Sequence, residues 1–494
     1  MTVLKYIFGS SLLRNASYFL TIATGLIVTP ILVRSLGSED YAKWVLINTL
    51  LIYFMAFDFG YSSSVARYVS RKYEEWGEGS AQRCITTAFY ALCGALCVSL
   101  LLIAVGYTFL EERFFSGMPP ELIVSVLFLL LCYSTIIPLR VFHGVLRSQL
   151  KWNTISLIVM TKSVCMNIII VIMVLNDYGL YSVIFPNAAF VILEYLAYFY
   201  FAKRSYKFSL SPKGFDLRVL KSLSSYSISF FLIQVSNMFG RRMQAFFIAL
   251  YISLPAVTIY TIGLQMLKYY EELMCSTFDV LAPYFSRHEQ DPQRMISDYL
   301  TISAHCFSVA AFGGYMVWAY AKPFLYYWIG PELLPSTAVI SALVIPFVLR
   351  TAHIPSRELL YGTSNHNFMV PLNVLSFAVN LTLLFFLVKP FGMAGVLWAM
   401  GSTMLFFRVG VFMYFLFRKM RIPVGKYFYN VYAKPLVVFM LPQFLVHYFV
   451  YPRFDVFSPE LGFVFALSIV LFSVTFYAIV RKELREPEAP AEQG

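Results

Sequence analysis

Ionisable residues are rare along this chain, and several stand in unusual places. Lys162, Arg241, Arg242, Lys268 and Arg408 lie well inside long apolar runs, and Arg14, Arg140 and Arg350 lie near the ends of others. The acids Asp58, Glu194, Glu271, Glu272 and Asp279 share those runs. A charge in such a run is expensive and marks either a pathway or a buried pair. Deep cations suit an anion, which in a low-dielectric cavity needs partners of opposite sign. Arg grips phosphate better than Lys, because its planar fork bonds bidentately and stays protonated.

Ser227, Gln234, Asn237, Arg241 and Gln244 follow one another at helical spacing. At about 100° per residue they form one polar stripe on an otherwise apolar helix. Lipid does not tolerate such a stripe, so it faces a cavity or a neighbouring helix. No acid lies within one turn of Arg241 on its own helix, which favours the cavity. Arg242 is turned about 100° away, toward the same space or into a salt bridge. Arg14, Ser17, Thr21 and Thr24 make a milder stripe near the start. Lys268 precedes Glu271 and Glu272 at the spacing of an ion pair within one helix. Arg140, His143 and Arg147 share one helical face, and Arg350, His353 and Arg357 repeat it. Each set reads either as anchorage to anionic lipid or as a basic funnel at the cytoplasmic mouth. His143 and His353 would then titrate near neutrality. Asp58 and Asp279 read as proton or cation sites, or as partners of a buried Arg. Glu194 has no evident partner. Catalysis finds no footing here. There is no zinc-ligand or triad spacing, no CxxC among the seven Cys, and Gly425-Lys426 is followed by Tyr427 where a phosphate-binding loop needs Ser or Thr. Neither a metal nor a cofactor is expected.

The elements that must position these groups are membrane helices. Of 494 residues, 59% are hydrophobic and 13% charged, about half the charged share of a soluble domain. The apolar runs of about 20 residues divide into about fourteen spans, an all-α polytopic membrane protein. The net charge of +12 does not point to nucleic acid, because the basic residues crowd into alternate connections. About 26 of the 38 Lys and Arg fall on one side and about six on the other. Both termini are therefore read as cytoplasmic, with the first apolar run an uncleaved span.

A repeat organises these spans. Leu139-Arg140-x-x-His143-x-x-x-Arg147-x-x-Leu150 returns as Leu349-Arg350-x-x-His353-x-x-x-Arg357-x-x-Leu360, at an offset of 210. Further on the offset is 213, with Asn167 against Asn380, Gly179 against Gly392 and Val183 against Val396. Upstream, Phe57-Asp58 is faintly echoed by Phe278-Asp279. The reading is of a six-helix lobe over 1–205, a basic cytoplasmic linker over 206–222 and a second six-helix lobe over 223–420. Two extra helices over 421–481 and a disordered tail over 482–494 complete it. Six being even, equivalent spans share an orientation, and the pseudo-two-fold axis relating the lobes runs along the membrane normal.

The opening Pro30-x-x-x-Arg34-x-Leu36-Gly37-x-x-x-Tyr41, then Asp58-Phe59-Gly60 and Arg67, resembles that of the Wzx-type polysaccharide flippases. Their superfamily also holds the multidrug MATE exporters and the lipid II flippases. The resemblance is architectural along nearly the whole chain and motif-specific over about 30–67. It implies two lobes around a central cavity, in a bacterial inner membrane. It also implies a substrate, an undecaprenyl-pyrophosphate-linked oligosaccharide moved to the outer leaflet. Polymerase and chain-length proteins of the same route would be partners, beside the membrane lipids. On this reading Arg241, Arg14, Arg242, Gln234, Asn237, Gln244, Lys268 and Arg408 line the route of the pyrophosphate, and Asp58 and Asp279 are the candidates for ion coupling. The rivals are a MATE-like ion-coupled exporter of small cations, against which the deep cations argue, and a membrane oligosaccharide polymerase or ligase. The latter needs a large external loop, and the longest outward connections run to about a dozen residues.

Overall fold

The computed structural model describes the backbone of residues 12–485 apart from 77, 111–118, 207, 279–280, 364, 366–367, 454–455 and 459. Side chains are described over the same range except at 12–19, 21, 70–78, 80, 106, 108–110, 225–226, 228–230, 232–241, 283, 453 and 482–485. Asp279 therefore lies outside the described residues, as do the side chains of Arg14, Ser17, Thr21, Gln234, Asn237 and Arg241.

Most of the described residues are helical, with no strand among them. In chain order they are α1 (Leu12–Met55), α2 (Tyr61–Trp76), α3 (Glu78–Leu110), α4 (Pro120–Thr135), α5 (Arg140–Ser148), α6 (Trp152–Leu175), α7 (Tyr181–Ser205) and α8 (Leu217–Tyr251). Then come α9 (Leu254–Phe278), α10 (Leu281–Arg287), α11 (Pro292–Ala319), α12 (Ala321–Trp328), α13 (Ser336–Ala352), α14 (Ile354–Gly362), α15 (Met369–Thr403) and α16 (Phe412–Met420). Last are α17 (Val424–Tyr427), α18 (Leu441–Phe449) and α19 (Leu461–Arg485). Among the described residues nine helical stretches are long and apolar enough to cross a membrane. Two of them, Ile22–Val69 and Met369–Met420, run to 48 and 52 residues, enough for two crossings each at about 20 residues per crossing.

Glycines break those long stretches where the chain must reverse. Gly37 (φ +78°) divides α1, and Gly392 (φ +54°) divides α15. Gly179 (φ +53°) makes the turn between α6 and α7, so the two glycines that the repeat pairs both take a positive φ. L-residues with a Cβ avoid that region.

Two compact units emerge. One spans Leu20–Thr258, and the other holds the residues from Ile259 on together with the described residues up to Phe19. In the first, α5 packs on α2 so closely that a Cβ at Gly144 would stand 2.4 Å from the Ser62 carbonyl oxygen. In the second, α14 packs on α10 in the same way, with Gly362 against the Ala282 carbonyl at 2.5 Å. Small residues that admit backbone contact hold membrane helices together where no hydrophobic drive acts between them. The final helices join the second unit. Leu461 and Val464 bury against Ala319 and Tyr320, and Gln443 Nε2 donates to the Ser468 carbonyl at 3.2 Å.

Candidate functional site

The first unit builds its charged centre around a helix break. α1 stops at Met55, one 3-10 turn covers Ala56–Asp58, and Phe59 (φ +46°) and Gly60 (φ +79°) both take the left-handed region. A break leaves carbonyls unpaired on one side and amides on the other, and hydrocarbon satisfies neither. Asp58 and Arg140 meet that demand together. Asp58 Oδ1 accepts the Gly60 N–H at 2.9 Å, while Arg140 donates to the Met55 carbonyl. Asp58 Oδ2 then faces Arg140 Nη2 at 3.3 Å, with Asp58 buried and Arg140 partly so. Arg140 is brought there by a second break. The turn at Ile136–Leu139 ends α4, and Pro138, lacking an N–H, interrupts the helix so that α5 begins at Arg140.

This centre extends outward. Arg140 also meets the Tyr195 side chain. Glu194, the next residue on α7, accepts from Lys162 Nζ at 2.8 Å and from Tyr198 Oη at 3.0 Å. Glu194 thus has a partner that linear spacing hid, 32 residues away on α6. The cations Lys162 and Arg140 are balanced by Glu194 and Asp58 inside one unit. His143 sits against the Tyr198 ring, with centroids 5.1 Å apart, and its Nδ1 is 3.5 Å from Ser62 Oγ. Arg147 reaches Ser63 Oγ at 3.5 Å and lies 5.6 Å from the centroid of the Trp152 ring.

The second unit repeats the theme on different backbone. Arg350 pairs with Glu271. Glu271 follows Asp58 by 213 residues, the offset that relates Asn167 to Asn380, so the acid opposite the repeated Arg is Glu271. On either side of that pair Tyr270 Oη meets the Ala310 carbonyl at 2.9 Å and Thr351 Oγ1 at 2.7 Å, tying α9 to α11 and α13. Glu272 lies within electrostatic reach of both Glu271 and Lys268. The Arg350 guanidinium also covers the Phe347 ring at 4.8 Å. His353 ends α13 and is buried, its Nε2 2.5 Å from Tyr432 Oη. Arg357 pairs with its neighbour Glu358 at 2.9 Å.

The stripe on α8 is described only at its ends. Ser227 Oγ meets Ser64 Oγ at 2.6 Å, and nearby Ser224 Oγ meets Tyr61 Oη at 2.6 Å, so this end seals α8 onto α2. Gln244 is fully buried. Arg242 is half-buried within electrostatic reach of Tyr53. Arg408 is half-buried in a π-helical stretch, Met404–Val411. No group of three or more His, Cys, Asp or Glu among the described residues is placed to hold a metal. Sequence reasoning missed the Lys162–Glu194 and Tyr270–Thr351 links. The charges inside apolar runs were a signal for the first, and a buried Tyr hydroxyl leaves none in sequence.

Comparison with known proteins sets these centres in context. Residues 31–337 match the family model described as polysaccharide biosynthesis protein. No curated protein matches. Among solved structures, the lipid II flippase MurJ in an inward closed conformation aligns at a TM-score of 0.73 and 15% identity, covering 96% of this chain and all of its own, 100%. A multidrug resistance MATE family transporter of the MOP superfamily, inward-facing, aligns at 0.66 and 13%, covering 85% of this chain and 97% of its own. A MOP superfamily transporter from Pyrococcus furiosus aligns at 0.57 and 14%, covering 82% and 93%. The fold is that of the MOP-superfamily transporters. Within it, the chain belongs to the polysaccharide biosynthesis protein family, as the Wzx-type resemblance of its opening residues implied.

Proposed function

We propose that this protein is a non-enzymatic flippase. It moves a lipid-pyrophosphate-linked oligosaccharide from the cytoplasmic to the periplasmic leaflet of a bacterial inner membrane by alternating access. The observation that carries the reading is membership of a polysaccharide biosynthesis family by a chain whose whole length follows the fold of a lipid II flippase. Residues 1–205 and 223–420 act as the two lobes, and both termini are cytoplasmic. Polymerase and chain-length proteins take up the product. Because Lys162, Arg140, Arg350 and Arg357 are each engaged by a carboxylate, Arg241, with Arg14, Gln234 and Asn237, is the better candidate to meet the pyrophosphate. Asp279 is the first carboxylate to test for ion coupling, since Asp58 is already held by Arg140.

The test is reconstitution in proteoliposomes with a pyrophosphate-linked oligosaccharide, scored by a probe confined to one leaflet. Protein-dependent appearance of the glycan on the far side supports the reading. Well-folded protein that leaves it in place, yet exports a small organic cation, overturns it in favour of a MATE-like exporter. A charge-assisted contact is worth about 1.5–3 kcal/mol. Arg241→Ala should therefore cut flipping by about ten- to a hundredfold per folded molecule, and Arg241→Lys should keep part of it. Full normalised flipping by Arg241→Ala removes Arg241 from the route.

A further inference from the structure

A second cationic site lies in the second unit, away from the paired charges. A cavity of about 520 Å³ opens between α11, the segment Pro423–Phe439 and Ile479 of α19. Lys426, Asn430, Lys434 and Val438 line one wall, four residues apart each time. In a straight α-helix that spacing drifts by about 40° per step. Here two π-helical stretches, Phe428–Ala433 and Leu436–Met440, lie on either side of Lys434. The wider π turns take up the drift and keep all four side chains on one face. Such turns are costly and collect at functional sites.

The facing wall is α11, which contributes Ser297, Thr301 and His305 together with Leu300. Among the described residues no Asp or Glu lines the cavity. Asp298, the nearest acid in sequence on that helix, is taken by Tyr284 Oη at 2.6 Å and by Arg294. The His305 ring meets Phe476, and its Nδ1 is 2.7 Å from the Thr301 carbonyl, a helix-internal contact. Among the described residues neither lysine ammonium has a hydrogen-bond or ion-pair partner in the structure. Eight residues separate Lys426 from Lys434, about two helical turns. Both lysine side chains are exposed and open to a ligand from outside the protein.

We propose that this cavity binds an anionic phospholipid of the surrounding bilayer, with its phosphate between Lys426 and Lys434 and its acyl chain along Leu300, Val438, Phe439 and Ile479. The combination of two ammonium groups, hydroxyl and amide donors and an apolar end fits a phosphate ester of a lipid rather than a free ion. The inference needs only a membrane protein and is independent of what the protein transports. Membrane-surface attraction contributes about 1 kcal/mol per Lys. Each lysine thus accounts for about fivefold in affinity and the two for about thirtyfold.

The experiment measures lipid binding to the full-length protein in neutral detergent by native mass spectrometry and thermal midpoint. Phosphatidylglycerol should bind and raise the midpoint, whereas phosphatidylcholine should not. Lys426→Gln with Lys434→Gln should weaken phosphatidylglycerol about thirtyfold, and Ser297→Trp, which fills the cavity at an exposed position with both lysines intact, should do the same. Lys213→Gln with Lys221→Gln removes equal charge from the loop ahead of α8 and from its first turns, and should change nothing. Undiminished binding by the lysine pair variant overturns the proposal, as does an equal loss in the loop control. Inorganic phosphate reproducing the whole midpoint shift would show a free-anion site. A polyprenyl phosphate displacing phosphatidylglycerol at lower concentration would make the site one for the carrier lipid. Either result overturns the phospholipid assignment.

Discussion

The two units solve one problem with different backbone. In the first, the Asp58–Arg140 pair lies at a double break, where α1 gives way to α2 and α4 to α5, and it also serves the orphaned Met55 carbonyl and Gly60 amide. In the second, Glu271 stands inside the continuous helix α9 and Arg350 inside α13, one turn before the break at His353. The side chain of Asp58 is 5% exposed and that of Glu271 21%. The same Arg–carboxylate pairing is therefore structural glue in one unit and closer to a plain ion pair in the other. The difference teaches that a repeated Arg is retained for its partner, and that the partner's backbone sets what the pair is worth.

That contrast is best broken at Arg140. Arg140→Ala leaves a buried carboxylate and an unpaired carbonyl, and should cost about 3–5 kcal/mol. The yield of folded protein and its thermal midpoint should both fall sharply. Asp58→Asn on top should recover part of the loss, because it removes the stranded charge. An unchanged midpoint in Arg140→Ala would deny the clamp its role.

Arg350→Ala should follow the same course less steeply, at about 1–3 kcal/mol. Thermal midpoints of both variants in one detergent decide the ranking. Losses of equal size would mean that the helix break in the first unit adds nothing to its pair.

Smaller effects test whether the two units are equivalent. A Cβ at Gly179 or at Gly392 would meet nothing within 4 Å, so Ala there tests the backbone alone. Each substitution should cost about 1–2 kcal/mol through the positive φ, and the two midpoint shifts should match. A shift at only one position would show that the turns are not equivalent.

The smallest change is expected at Lys162 and Glu194. At the 213 offset the second unit has Leu375 and Phe407 instead, so a charged link is not required by the architecture. Lys162→Met with Glu194→Gln keeps an acceptor for Tyr198 and should move stability by about 1 kcal/mol or less, because burying ions offsets their attraction. Lys162→Met alone should be clearly worse, since it strands Glu194. Equal midpoints for the single and the double variant would show that the pair is uncoupled.

Much of the architecture was legible in the chain itself. Apolar runs report membrane helices directly, because hydrocarbon admits no unpaired backbone. Gly179 and Gly392 were paired by the repeat, and each takes a positive φ. The Asp58-Phe59-Gly60 motif was visible too, but its meaning was not. It is a turn whose carboxylate caps Gly60 and waits for Arg140, which arrives 82 residues later. The upstream echo aligned Asp58 with Asp279, whereas the residue facing Arg350 is Glu271, because the matching acids stand on unlike local backbone.

Composition, charge placement and the repeated Arg-x-x-His-x-x-x-Arg determined by themselves that this is a helical membrane protein with duplicated cationic positions. They settled this because hydrophobic length, basic-loop asymmetry and periodicity are local properties of a chain. Only the tertiary structure decided which charges neutralise one another. Lys162 finds Glu194, Arg140 finds Asp58 and Arg350 finds Glu271 across helices that sequence spacing does not relate. The same folding leaves Lys426 and Lys434 together on a cavity wall that no acid lines among the described residues. Electrostatic energy depends on distance through space and on burial, and neither is a function of separation along the chain.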